Sequence, residues 1–377
     1  MEDPMAPWDE QVDDNIRTRC GYPAKDVLRS FKAFLEQPGA EAAGKCLHYT
    51  ADLISSGCLE LWQKCLWDYA FDHIGIASPR IFHFLKERFD AIESAWALLP
   101  SEDFCRMIEF QRKFGECVLV IRSCIRKPPL KIPKVPAETH SDEWVRSSTG
   151  GAPPSSAVAK VFRSGSEPGV LKKVGDEIAK ACSEGATEKA LFWMKWLYDE
   201  EAMIRRESMG TFTPVERGPS SLNEKARRHV GFFIAALCAE IYKEMAAGQK
   251  VRMNEEYSAL LKLFANPNKL LSQKRRMEIL VLLIQILCEV PKWKIPAAPS
   301  LVSDPVVLER ALGHVNGFFR EVLKYDPPVG NIAKEAKKGN KATVVHRKMN
   351  AKQEKLAKVE NQMAAYDAVL QQIYGPM

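Results

Sequence analysis

The chain has 377 residues, 46% hydrophobic and 27% charged, which excludes a disordered or fibrous protein and leaves room for two domains with their own cores. Its formal charge of +6 is confined, because nine Lys and Arg against three Glu between 331 and 360 account for all of it. A neutral body therefore carries a basic tail.

The first ten residues hold four acids and no apolar run, so no signal peptide is expected. Ten cysteines lie scattered among apolar neighbours. In a chain of this length they read as small core hydrophobes of a reducing, cytoplasmic setting, not as a disulfide framework.

From residue 23 to 125 the apolar residues recur at helical spacing. Val27, Phe31, Phe34 and Leu35 make the first stripe, Leu47, Leu53 and Ile54 the second, and Trp62, Cys65, Leu66 and Tyr69 the third. Ser78-Pro79 reads as an N-cap followed by proline at the first helical position. The helix it opens shows Ile81, Leu85, Phe89, Ile92 and Trp96 on one face and stops at Pro100. Ser101-Glu102-Asp103 then caps another helix, and Phe114, Cys117, Val118, Ile121 and Cys124 carry the pattern on. Residues 1–126 form the first predicted domain.

Between 127 and 169 the periodicity breaks. Seven prolines alternate with Ser, Gly and Lys, which predicts a Pro-rich linker, either a flexible spacer or, over Pro128 to Pro136, a polyproline segment laid along a surface.

Helical spacing resumes at 170 and defines a second predicted domain, 170–326. Leu171, Val174, Ile178 and Cys182 lead to Gly185, and Thr187 opens the stretch with Trp193, Trp196 and Leu197. Glu200 and Glu201, followed by Arg205 and Arg206, read as an exposed, ion-paired face. Ser221 and Glu224 have capping-box spacing, and the helix they open is expected to reach Gly248. Tyr257 to Phe264 makes another, Met277 to Val290 a buried one, and Asp304-Pro305 starts a last one that runs to Tyr325. The apolar runs 231–239 and 279–287 are half as long as the ~20 residues a bilayer needs, so no membrane span is expected. Strict alternation, hairpin turns and 20–50-residue repeats are missing, so the fold class is all-α.

The segment 327–377 carries a helical seam. Met349, Leu356, Met363 and Leu370 fall every seven residues, Val359, Tyr366 and Ile373 occupy the partner positions, and Lys352 spoils one of them. Such a seam is covered by the chain's own body or by another subunit, and it is the candidate partner-binding surface. Lys334, Lys337, Lys338, Lys341, Arg347, Lys348, Lys352 and Lys355 are the candidate nucleic-acid contacts, able to neutralise phosphates without reading bases.

Catalytic and cofactor motifs are not found. Cys58/Cys65 and Cys117/Cys124 are seven apart, two helical turns, too far for both thiolates of a pair to reach one zinc. Neither a Gly-x-Ser-x-Gly elbow, a His-Glu-x-x-His pair nor a phosphate loop occurs, and no catalytic, metal or cofactor residue is predicted.

Two runs, 73–89 (HIGIASPRIFHFLKERF) and 188–197 (EKALFWMKWL), resemble helical proteins of nucleocytoplasmic large DNA viruses of the algal-virus kind. The resemblance implies a non-enzymatic structural or assembly protein, such as a minor capsid component beneath the major shell. Its partners would be other protein subunits, including capsid proteins, and its location the virion. The alternative, resting on the basic tail, is a nucleic-acid-associated packaging or late-transcription factor.

Overall fold

A computed structural model describes residues 12, 15–97, 101–207, 212–248, 254–266, 273–289, 301–302 and 304–326. Among them the regular structure is helical and no strand occurs, so the fold is all-α as the periodicity predicts. Two compact units divide the chain: Met1–Tyr69, Phe84–Cys124 and Leu301–Met377 in one, Ala70–His83 and Ile125–Ser300 in the other. Helical spacing along the chain predicts two consecutive domains, with 301–326 in the second.

The first unit holds α1 (Ala24–Glu36), α2 (Ala40–Ser55), α3 (Leu59–Tyr69), α4 (Arg80–Trp96) from Phe84 on, α5 (Ser101–Arg106), α6 (Ile108–Ser123), α15 (Pro305–Leu312) and α16 (Val315–Val322). In α1 the buried stripe is Val27, Leu28, Phe31 and Leu35. At its end, Arg122 donates to the carbonyls of Phe34 in the last turn and of Gln37 and Gly39 beyond it, the last two at 2.7 and 3.1 Å, and so satisfies acceptors a helix terminus leaves open. Ser78 does not cap α4. Its hydroxyl donates to the carbonyl of Ile125 at 3.5 Å, and the helix begins at Arg80. Asp304 caps α15 as expected, accepting from the N–H groups of Val306 and Val307 at 2.9 and 3.1 Å with Pro305 first in the helix, but the helix expected to run to Tyr325 is divided at Gly313-His314 into α15 and α16.

Aromatic rings fill this core. Trp62 lies 5.6 Å from Phe89 and 5.4 Å from Phe114, and Phe114 lies 6.1 Å from Phe319 of α16. The close approach of α16 to α6 rests on Gly115, where a Cβ would stand 2.5 Å from a methyl of Val315. Arg112 and Glu309 pair at 2.7 Å along the same side. These contacts place residues 305–322 with the first unit.

The second unit holds α7 (Asp142–Ser148), α8 (Ser156–Val161), α9 (Gly169–Glu184), α10 (Thr187–Glu207), α11 (Glu224–Arg227), α12 (Val230–Ala247), α13 (Asn254–Ala265) and α14 (Gln273–Glu289). Residues 279–288 of α14 are buried without interruption, so this part of the helix takes neighbours on every side: α9, α10, α12 and α13. No helix among the described residues is long and apolar enough to cross a membrane.

The predicted linker is more structured than its composition suggests. After an irregular 127–136 it forms a 3₁₀ turn (Ala137–His140), α7 and α8, and buries Val145, Ala157, Val158 and Val161. Trp196 donates to the Thr139 carbonyl at 3.1 Å, and His140 stacks on the same indole with ring centroids 5.0 Å apart. The helix expected from Ser221 to Gly248 is also divided. Asn223, not Ser221, caps α11, accepting from the Ala226 N–H at 2.8 Å, and a break at Arg228-His229 precedes α12.

Candidate functional site

An apolar cleft in the second unit is the candidate site. One wall starts where α3 ends, as the chain winds into a π turn (Ala70–Ile74) and then a 3₁₀ turn (Gly75–Ala77). Single π turns recur at functional sites. Gly75 takes φ +50, a left-handed conformation that glycine adopts without cost, and its bare Cα faces Leu282 of α14. The opposite wall is the start of the proline-rich segment. The Lys127 N–H donates to the His73 carbonyl at 2.8 Å, after which Pro128 and Pro129 offer no N–H and the chain takes no regular structure.

The cavity measures about 110 Å³ and is lined chiefly by Phe71, Ile76, Leu130, Ile132, Val281 and Leu282, with Lys127, Glu278 and Gln285 as its polar members. Arg275 holds both oxygens of Asp72 at 2.6 and 2.8 Å and Glu278 at 2.5 Å, with its guanidinium 5.9 Å over the Phe71 ring. Burial pushes the Glu278 carboxyl above the usual carboxylate range, and Arg275 opposes that shift. Gln285 donates to Glu289 at 2.8 Å. Glu278 and Gln285 are thus engaged with neighbours, and apart from Lys127 what remains of the lining is mainly hydrocarbon.

A second polar cluster surrounds the start of α12. Glu201 of α10 is 2% exposed, which corrects its reading as part of an exposed face. It accepts from Arg205 at 2.9 Å and from the Val230 N–H at 3.0 Å, and its other oxygen lies 3.2 Å from His229 Nε2. The Gly231 N–H donates to His229 Nδ1 at 3.0 Å. That bond makes Nδ1 an acceptor and leaves the proton on Nε2, directed at the carboxylate. A Glu–His pair resembles a catalytic dyad, but a general base needs an open nitrogen, and here both are taken. The pair caps α12, meeting the unpaired N–H groups of its first turn with a side chain and a negative charge.

Sequence reasoning missed Glu201, although a signal existed. Ala190, Met194 and Leu197 are buried on one stripe of α10, and the next position at helical spacing is 201. A carboxylate on an apolar stripe marks a buried polar partner.

Burial, with Arg205 and Arg276 nearby, pushes the His229 imidazole down to about 4. The folded value lies below the ordinary one near 6.5, so the ring's contribution to stability is complete above about pH 6.5 and is lost as pH falls towards 4. Burial raises the Glu201 carboxyl, which pulls the other way in acid. Nitrogen chemical shifts are expected to show His229 neutral, protonated at Nε2, down to about pH 5. A midpoint near 6.5 rules this arrangement out.

The cysteines fall in cores: nine are buried and Cys20 is half-buried. Burial pushes the Cys46 thiol up to about 11 and that of Cys238 up to about 12. Cys182 rises through its hydrogen bond with Cys288 and through burial. All the residues proposed from the tail seam and the basic run, from Lys334 to Ile373, lie outside the described residues.

No known protein family matches the chain, and no curated protein or solved structure is significantly similar to it.

Proposed function

We propose that this chain is a non-enzymatic assembly subunit that works through protein–protein contacts. The cleft carries the proposal. Pockets that take small molecules typically hold about 300–1,000 Å³ and aim a few free polar groups at the ligand. This one offers about 110 Å³ with a mainly hydrocarbon lining and its one carboxylate, Glu278, engaged by Arg275, which suits one side chain of a partner. The run 73–89, one of the two that carry the viral resemblance, contributes Gly75 and Ile76 to the wall of the cleft. The assembly we propose is accordingly a virion of a large DNA virus, with the chain as a minor capsid component. The heptad seam from Met349 to Ile373 supplies a further contact surface in the same scheme.

A second reading, a packaging or late-transcription factor, is favoured by the concentration of the whole net charge between 331 and 360. One experiment separates the two. Native extract is sedimented through a gradient with and without nuclease, at about 50 and 200 mM salt, the range over which contacts to several phosphates lose most of their affinity. The assembly reading expects the chain at a fixed ratio in a large particle under all four conditions. Release by nuclease or by the higher salt supports the nucleic-acid reading. A free monomer throughout removes both.

A further inference from the structure

We propose that the cleft beside the π turn receives a partner segment presenting one aliphatic side chain of about leucine size flanked by carboxylates. This inference rests on the assembly reading and adds the chemistry of the partner. Size comes first: an apolar cavity of about 150 Å³ accommodates benzene, so the 110 Å³ here suits a branched aliphatic group better than an indole.

Charge supplies the rest. The wall that closes the cleft reads Arg126-Lys127-Pro128-Pro129-Leu130-Lys131-Ile132-Pro133-Lys134, four cations in nine residues, with no acid before Glu138. Leu130 and Ile132 turn into the cleft, while Arg126, Lys127, Lys131 and Lys134 are exposed. Asp72 and Glu278, the acids on the facing side, are paired with Arg275, and Glu278 also lies 4.0 Å from the Lys274 ammonium, so their charge is met on their own side of the cleft. Ile125, 62% exposed, extends the apolar surface just before the cations. Carboxylates on the partner would therefore lie over the lysines while its aliphatic side chain leaves water. The same charge argues against the chain's own 331–360 as occupant, since that run carries the same sign.

The probe is a fluorescein-labelled seven-residue peptide with a central leucine between acidic residues, titrated into the full chain and read by anisotropy. Two companions replace the leucine by alanine or the acids by lysine. The leucine peptide is expected to bind about tenfold more tightly than the alanine one, the share due to burying one such side chain. Lys127→Glu with Lys131→Glu, both at exposed positions, should weaken binding about tenfold and flatten its salt dependence. Equal affinity for the leucine and alanine peptides, preference for the basic peptide, or indifference to the two reversals overturns the proposal. Absence of binding by the full chain does the same. Incorporation of the Lys127→Glu, Lys131→Glu variant into the sedimenting particle is scored separately. A chain that binds the peptide but joins no particle keeps the docking site and loses the assembly reading, whereas one that joins the particle but ignores the peptide does the reverse.

Discussion

Glu167→Ala lowers stability by about 3–5 kcal/mol, the loss expected when one partner of a buried ion pair is removed. Both oxygens of Glu167 are held by Arg217, at 2.6 and 2.7 Å, and the Arg163 N–H donates to the same carboxylate at 2.8 Å. The glutamate side chain is fully buried, and that of Arg217 is 10% exposed. Arg217 also donates to the Val161 carbonyl at 2.9 Å and lies 5.2 Å over the Phe233 ring. Truncation to alanine strands the guanidinium where water does not reach it and leaves the Arg163 N–H without its acceptor. The cost comes from the abandoned charge more than from the lost attraction, which dictates a control. Glu167→Leu combined with Arg217→Met removes both charges and should recover most of the loss. Urea denaturation measures the difference, and hydrogen exchange places it in the segments 156–168 and 212–218. A loss below about 1 kcal/mol is the value of a solvent-exposed pair and would contradict the burial seen here.

Trp62→Ala is the second large effect, again about 3–5 kcal/mol. The indole is fully buried in the first unit, against Phe89 and Phe114, and its Nε1 donates to Thr50 Oγ1 at 3.1 Å. Alanine leaves a cavity among helices held by their own side chains, and Thr50, itself buried, loses the donor to its hydroxyl oxygen. Trp62→Phe keeps a ring in place and should cost clearly less, so the pair of variants separates lost volume from fold disruption. Denaturation midpoints with unchanged slope are the measurement. If alanine and phenylalanine cost the same, the hydrogen bond outweighs the packing and the cavity argument fails.

How much of this was legible in the chain differs by element. Val27, Phe31 and Leu35 on the stripe of α1 (though not Phe34, which is half-buried), the cap at Asp304 and the burial of 279–288 in α14 were readable because each is settled within a few residues. Helical spacing aligns neighbours three and four apart, and a carboxylate reaches the N–H groups two and three residues on. The structure within 137–161 was not readable. Its helices have seven and six residues, shorter than the 11–18-residue window in which periodicity shows, and their anchors include Trp193 and Trp196, far along the chain. Capping went astray for a related reason. A Ser-x-x-Glu pattern matched at Ser221, yet Asn223 and then His229 hold the actual helix starts, the latter backed by Glu201 from another helix.

By its own order of residues the chain determined that it is helical, where most of its helices lie, and that its net charge is gathered between 331 and 360. Backbone hydrogen bonding and side-chain periodicity act over one or two turns, so they leave their trace in the sequence. Only the tertiary structure decided that α16 packs on α6 through Gly115, that Glu201 is buried, and that Phe71, Leu130 and Leu282 wall one cleft. Each of these joins residues tens to hundreds of positions apart, and close packing selects among such pairings by shape that no local pattern records.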